Sequence, residues 1–316
     1  MNRPCWPVVF MGTPAFAVPS LEALIHYGGV ELVAVVTQPD RPKGRGLAVA
    51  PPPVKVLAEQ AKIPVLQPEK IRTENFLGGM RKLAPEVIIV VAYGKILPAE
   101  LLAIPRRGAI NVHASLLPKY RGAAPIQWAL INGEETTGVT IMQLDEGTDT
   151  GPIFLMEEIK IEPTDTAGTL HDRLASLGAR ALIKTLDGLQ KGTIIARPQP
   201  NTGVSYAPML KKEDGRIDWQ QPAGKIFNLI RGLDPWPGSY SYWRGKLCHL
   251  YRPRIIEGTE KKRGPGEIIQ ADDSGLLVAT GGDYILITEI KMEGGRRMAV
   301  ADFRRGHVID IGEKLG

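Results

Sequence analysis

Apolar residues fall into two regimes along the chain, short runs alternating with helical patterns first and short runs with little helix between them later. Val8–Met11 is an apolar run closed by Gly12-Thr13-Pro14, and it predicts a buried strand. Ser20 can cap a helix through Tyr27 that Gly28-Gly29 ends. The Val-rich stretch Glu31–Thr37 predicts a second strand, and Val54–Ala61 returns to a helical pattern. Between them, Pro39 to Pro53 reads as a loop dense in Pro and Gly, longer than most strand-to-helix connections. Glu86–Ala92 is the most apolar segment and predicts a central parallel strand buried on both faces. Ala109–His113 predicts a further strand, Pro125–Ile131 a helix, and Val139–Leu144 and Ile153–Ile161 two more strands. Leu170, Leu174, Leu177, Ala181 and Leu182 recur at helical spacing and predict a long amphipathic helix from Thr166 to about Leu189.

Strands alternating with helices imply an α/β domain with an open, mostly parallel, Rossmann-like sheet, assigned to residues 1–192. Such sheets bind ligands beyond the carboxyl ends of their strands. The residues after Met11, Val36, Val91 and Val112 are therefore expected to converge on one crevice. Pro198-Gln199-Pro200-Asn201 marks a linker, placed at 193–207. From 208 to 316 helical periodicity survives only at Ala223–Arg231. The short runs Lys246–Leu250, Gly266–Ile269, Leu276–Ala279 and Tyr284–Glu289, broken by Gly, Pro and Asp, suggest a small β-barrel or sandwich.

Composition narrows the compartment and little else. The chain has 316 residues, 43% hydrophobic and 23% charged, in the ordinary globular range. Its two cysteines, Cys5 and Cys248, lie far apart and outside any C-x-x-C pattern, which argues against a zinc ribbon or a disulfide scaffold. Arg3, Val8–Met11 and Ala15-Phe16-Ala17 imitate a signal peptide, but that apolar run is too short for one, and no segment is long enough to span a bilayer. A cytoplasmic monomer with no membrane contact is expected. A net charge of +5 permits contact with phosphates without requiring it.

The densest chemistry lies in Asn111-Val112-His113-Ala114-Ser115-Leu116-Leu117-Pro118. In a strand Asn111 and His113 share a face, so an amide donor and an imidazole can address one atom. A polar strand end bonded to its own loop is the competing reading. The acidic turn Leu144-Asp145-Glu146-Gly147-Thr148-Asp149-Thr150-Gly151 is, by itself, compatible with an ordinary hairpin turn. It lacks the spacing of a calcium loop. No phosphate-binding G-x-x-x-x-G-K-[ST] loop, dinucleotide G-x-G-x-x-G or serine-nucleophile G-x-S-x-G is present, and the five histidines (26, 113, 171, 249, 307) have no metal-ligand spacing. No metal is expected.

The stretch from Asn111 through Lys119-Tyr120-Arg121-Gly122-Ala123-Ala124-Pro125-Ile126-Gln127-Trp128-Ala129 closely resembles the signature of 10-formyltetrahydrofolate-dependent transferases. The turn carrying Asp149 matches that family's second catalytic segment. Gly12-Thr13-Pro14-x-Phe16, Arg41–Gly46 and Asp234-Pro235-Trp236-Pro237-Gly238 resemble those members that formylate methionine on its initiator tRNA. The resemblance implies 10-formyltetrahydrofolate as formyl donor and methionyl-initiator tRNA as acceptor. It implies Asn111, His113 and Asp149 as the catalytic trio and Ser115, Leu116, Leu117 and Pro118 as the folate-contacting loop, with the Val91–Gly94 strand end beside the pterin. Arg41, Lys43 and Arg45 would contact tRNA, and the later residues would form an OB-like, tRNA-binding barrel. Lys211-Lys212, Arg252, Arg254, Lys261-Lys262-Arg263, Arg296-Arg297 and Arg304-Arg305 are candidates to track phosphates there. Asp234–Tyr240 is read as a structural turn packing Trp236. Two alternatives stand beside this: a smaller amine as acceptor, such as a sugar nucleotide, or an RNA-binding protein without catalysis.

Overall fold

A computed structural model describes residues 5–43, 48–258 and 263–316. They form two compact units, one of residues 1–122, 136–159 and 171–206, the other of residues 123–135, 160–170 and 207–316. Two stretches that the sequence assigns to the first domain, 123–135 and 160–170, thus group with the second unit.

The first unit is built on seven strands: β1 (Trp6–Gly12), β2 (Val30–Val36), β3 (Val65–Leu66), β4 (Val87–Val91), β5 (Ala109–His113), β6 (Thr136–Gln143) and β7 (Ile153–Lys160). Their order across the sheet is β3-β2-β1-β4-β5-β6-β7. From β3 to β5 all pairings are parallel; β6 runs antiparallel to β5. The strand order reverses between β1 and β4, and sheets of this kind bind ligands beyond the carboxyl ends at such a switch point. Val9, Met11, Val36, Ile88 and Val90 pack one face of the sheet into a core with Met80 and Leu101. Each such buried side chain contributes roughly 1.5–3 kcal/mol over its exposed state.

Several local expectations change. Ser20 does not cap its helix: α1 spans Val18–His26, its N-cap is Ala17, and Ser20 is buried inside it. Pro19 in the first turn lacks the N–H that would need capping, so the helix starts before the serine. The loop Pro39–Pro53 contains a hairpin, Arg41–Lys43 paired with Ala48–Ala50. Glu74–Leu83 forms a helix (α2) that no sequence pattern marks, because Gly78 and Gly79 sit inside it, among the residue types least favoured there. Thr73 caps it by accepting from the Phe76 N–H at 3.4 Å, and Phe76, Leu77 and Met80 bury its inner face. The long helix α3 runs Ala167–Lys191. No helix among the described residues is long and apolar enough to cross a membrane.

The second unit holds an antiparallel sheet of β8 (Tyr240–Trp243), β9 (Lys246–Ile256), β10 (Ile268–Asp272), β11 (Gly275–Ala279), β12 (Tyr284–Met292) and β13 (Met298–Ala299). The order is β8-β9-β12-β11-β10, with β13 also on β12. The run expected at Lys246–Leu250 extends to Ile256, paired along its length with β12. The last residues lace the two edges together: Leu315 N–H donates to Gly266 O at 2.8 Å and Gly316 N–H to Tyr242 O at 3.0 Å. A small barrel results. Helix α4 (Ala223–Gly232) turns Ile226 and Ile230 into its core against Trp219, Leu250 and Ile285.

Cys248 lies fully inside that core, and burial pushes its thiol up to about 12, whereas Cys5 is exposed. The thiolate is the reactive species. A disulfide reagent at neutral pH is therefore expected to titrate one thiol in the folded chain and two after denaturation. Two fast-reacting thiols in the native protein would contradict this packing.

Candidate active site

Strand β5 brings the first two candidates to the sheet's edge. Val112 points toward α3, where Gly178 leaves it room: a Cβ there would lie 2.7 Å from Val112 Cγ1. Asn111 and His113 consequently share the opposite face. Asn111 is held between Val90 on β4 and Met142 on β6, and His113 stands opposite Thr140. The Asn111 side chain is half-buried and has no hydrogen bond among the described residues.

His113 is 5% exposed, and its Nε2 lies 3.0 Å from Tyr120 O. A carbonyl only accepts, so Nε2 carries the proton and Nδ1 is left for chemistry. Nδ1 faces Asp149 Oδ2 at 3.6 Å, longer than a hydrogen bond. The polar strand end thus does bond its own loop, through one ring nitrogen, while the other faces a carboxylate.

Asp149 adopts φ +53°, a left-handed conformation that Asp tolerates better than most residues. Its Oδ2 accepts from the Gly122 N–H at 2.8 Å. Two residues on, Gly151 approaches β6 so closely that a Cβ would fall 1.9 Å from Gln143 O. Asp145 closes the other end of the turn by accepting from Thr150 Oγ1 and the Gly147 N–H. The acidic segment is an ordinary turn in its hydrogen bonding, and it also aims one carboxylate at the imidazole.

In the segment Ser115–Pro118 the side chains of Ser115 and Leu117 face inward. Ser115 Oγ donates to Lys119 O at 2.6 Å, and Leu117 packs on Met142 and Ile153. Thr140 Oγ1 donates to Ser115 O at 2.7 Å and accepts from the Leu117 N–H at 3.1 Å. Leu116 and Pro118 are half-buried, and the Leu117–Pro118 peptide is cis.

Three of the four strand ends expected to converge are stitched together. Thr13 Oγ1, after β1, and Gln38 Nε2, after β2, both donate to Tyr93 O, after β4, at 3.1 Å. The Tyr93 ring is buried, and burial pushes its hydroxyl up to about 12. Gln67 and Lys55 donate to the two oxygens of Asp40 at 2.6 and 2.7 Å, and those bonds hold Asp40 below the usual carboxylate range. Asp40 in turn roots the cationic hairpin. Arg41 is exposed at its base and Lys43 ends its first strand; Arg45 lies outside the described residues. A cavity of about 580 Å³ opens near the carboxyl end of β3, lined by Leu66, Gln67, Lys70 and Phe76 among others, apart from the trio's own residues.

In the second unit Trp236 is not packed into the Asp234–Gly238 turn but stands 54% exposed. The buried anchor is Asp234, held by Arg297 through Nη1–Oδ1 at 2.9 Å and Nη2–Oδ2 at 3.2 Å. Of the basic candidates, Arg263, Arg297, Arg304 and Arg305 make ion pairs, Arg252 approaches Glu289 at 3.9 Å, and Lys211, Lys212 and Arg296 are exposed. Lys261 and Lys262 lie outside the described residues. Among the described residues no cluster of three or more His, Cys, Asp or Glu is placed to hold a metal ion.

Residues 7–186 match the family described as Formyl transferase, and 209–308 match Formyl transferase, C-terminal domain. The chain is 51% identical over 309 residues to the methionyl-tRNA formyltransferase of Desulforamulus reducens, covering 98% of this chain and 97% of that one. It is 51% identical to the protein of the same name from Pelotomaculum thermopropionicum, with 98% of each chain covered. Among solved structures, an N-formyltransferase of Helicobacter canadensis in complex with folinic acid and dTDP-3-aminofucose superposes with a TM-score of 0.67 at 19% identity, covering 89% of this chain and 98% of that one. HypX of Aquifex aeolicus in complex with tetrahydrofolic acid gives 0.63 at 17% identity, covering 97% and 50%. At those identities the structures share the fold alone.

Proposed function

The chain belongs to the formyl transferase family in both its domains, and on that premise we propose that it moves the formyl group of 10-formyltetrahydrofolate onto the free amino group of methionine carried by initiator tRNA. The observation that carries the chemistry is the pairing of His113 Nδ1 with Asp149 Oδ2 across 3.6 Å, with Asn111 on the same face of the same strand. The acceptor rests on full-length similarity to methionyl-tRNA formyltransferases. Likeness to a sugar N-formyltransferase extends to the fold and gives no ground for a sugar acceptor.

The amine nitrogen attacks the formyl carbon, the bond from that carbon to N10 breaks, and one amine proton ends on N10. A free α-amino group has a pKa near ~7.7–8.0, and the adjacent ester lowers it, so much of the acceptor is already neutral. Catalysis then consists of orienting the amine, stabilising charge on the formyl oxygen and moving a proton. Asn111 donates to the oxygen, its amide being uncommitted among the described residues. While the imidazole is neutral, Nδ1 and Oδ2 are both acceptors 3.6 Å apart, and an N–H or O–H donor, the amine or a water, addresses the pair from the side. Asp149 stabilises the imidazole once that proton reaches Nδ1.

Residues 1–192 act as the catalytic domain, 193–207 as the connection and 208–316 as the tRNA-binding barrel. The segment Ser115–Pro118 contacts the folate through Leu116, Pro118 and the backbone, since Ser115 and Leu117 point inward. Arg41, Lys43 and Arg45 meet tRNA phosphates. Charged initiator tRNA places the reaction in the cytoplasm.

The test is transfer of labelled formyl from 10-formyltetrahydrofolate to methionyl-initiator tRNA, with free methionine and a sugar-nucleotide amine as control acceptors. Label on either control at a comparable rate would overturn the acceptor. Changing Arg41, Lys43 and Arg45 to Gln is expected to flatten the dependence of log Kd on log salt by up to ~2–3, about 0.9 for each phosphate that is no longer neutralised. An unchanged slope would remove the hairpin from the tRNA interface.

A further inference from the structure

The segment that reads as a linker crosses both catalytic segments. Ile153 and Arg197 exchange backbone hydrogen bonds at 2.7 and 2.8 Å, which fixes one end beside the acidic turn. At the other end Ser205 O accepts from the Arg121 N–H and Ser205 Oγ from the Tyr120 N–H, both at 2.9 Å, beside the carbonyl that holds His113. Between these points Gln199 reaches into the turn. Its Nε2 donates to Asp149 O and to Gly151 O, each at 2.8 Å, and its Oε1 accepts from Arg121 Nη2 at 2.7 Å.

We propose that Gln199 is a positioning residue for the transfer reaction, an amide clamp that ties the 149–151 turn to Arg121 and so holds the Asp149 carboxylate against His113. The clamp presupposes the catalytic roles given above to His113 and Asp149. The Gly122 N–H fixes one oxygen of Asp149 but leaves its backbone unrestrained on the side of Gln199. That backbone is in the left-handed region, where a non-glycine residue stays only if its surroundings hold it there. Gln199 supplies the hold with every part of its amide in use, two donors on two carbonyls and one acceptor on a guanidinium. Glu at this position would set a carboxylate oxygen against carbonyl oxygens, and Asn is shorter by about 1.5 Å, one carbon–carbon bond. The segment thus supports the active site from behind, although its composition reads as a spacer.

Transfer kinetics on the full chain test this with Gln199→Ala and with Gln199→Met, which keeps the length and volume of the side chain. Both are expected to lower kcat by about 10- to 100-fold, the scale of a misplacement near 1 Å, with both KM values changed by less than about twofold. On an Asp149→Asn background the same substitutions are expected to change kcat by less than about twofold, because the clamp acts through that carboxylate. A Gln199→Met enzyme with wild-type kcat overturns the proposal, as does a Gln199 effect of full size on the Asp149→Asn background. If Asp149→Asn itself turns over at the wild-type rate, the catalytic reading fails and takes the clamp with it. If Asp149→Asn is impaired and Gln199→Met is not, only the clamp falls.

Discussion

Replacing Asn111 with alanine is expected to lower turnover by about 10²- to 10³-fold, with affinity for the folate donor nearly unchanged. The size follows from the loss of one donor aimed at developing charge. The selectivity for kcat follows from timing, since a bond that strengthens only as the oxygen becomes anionic contributes little to the ground state. The fold gives the variant no other reason to fail. Strand β5 is paired on both sides, to β4 and β6, and Val112 beside Asn111 stays buried against Gly178. The Asn111 side chain bonds to no described residue, so removing it leaves no orphaned partner among them. Asn111→Asp is the sharper companion: it keeps the volume, removes both N–H donors and adds a negative charge on the strand face shared with His113. Single-turnover rates at saturating donor and acceptor are the measurement. A rate within about threefold of wild type for the alanine variant would take Asn111 out of the chemistry.

How much of this is legible in the sequence depends on the range of the forces involved. Six of the seven sheet strands of the first unit follow from apolar runs, the two-residue β3 being too short to show one, and the convergence of their carboxyl ends appears in the bonds of Thr13 and Gln38 to Tyr93. The helix Glu74–Leu83 is hidden because two central glycines cancel its propensity, and tertiary burial of Phe76, Leu77 and Met80 restores it. Trp236 is expected inside because tryptophan generally is, yet the buried residue of the turn is Asp234, held by the more exposed Arg297. Spacing puts Asn111 and His113 on one face. That Asp149, thirty-six positions beyond His113, faces the same ring comes only from family resemblance, since no local pattern encodes that contact. Gln199 lies further still from any local signal. Flanked by Pro198 and Pro200, it has the composition of a spacer, and only the folded chain puts its amide on Asp149 and Gly151. Contacts of this kind depend on side-chain valence being satisfied in three dimensions, which no one-dimensional pattern records.

Asp149→Asn is the second large effect, an expected fall in kcat of about 10²- to 10⁴-fold, the range for a positioned acid–base group. Asparagine suits the site in every respect but charge. It tolerates positive φ as aspartate does, its Oδ1 can still accept from the Gly122 N–H, and the bonds from Gln199 go to the backbone. What goes is the negative charge facing His113 Nδ1. With Nε2 committed to Tyr120 O, a proton arriving on the imidazole can only sit on Nδ1, and without the carboxylate the resulting cation has no counter-charge among the described residues in a buried position, His113 being 5% exposed. The reverse substitution, His113→Gln, removes the proton carrier and leaves Asp149 with nothing to stabilise. The two losses should therefore not multiply: on the Asp149→Asn background, His113→Gln is expected to cost less than about tenfold more. The discriminating measurement is this double-mutant cycle in kcat, run alongside thermal unfolding to establish that all three variants fold. Multiplicative losses would mean that imidazole and carboxylate serve separate steps, and a wild-type rate for Asp149→Asn would leave the 3.6 Å approach as architecture rather than chemistry.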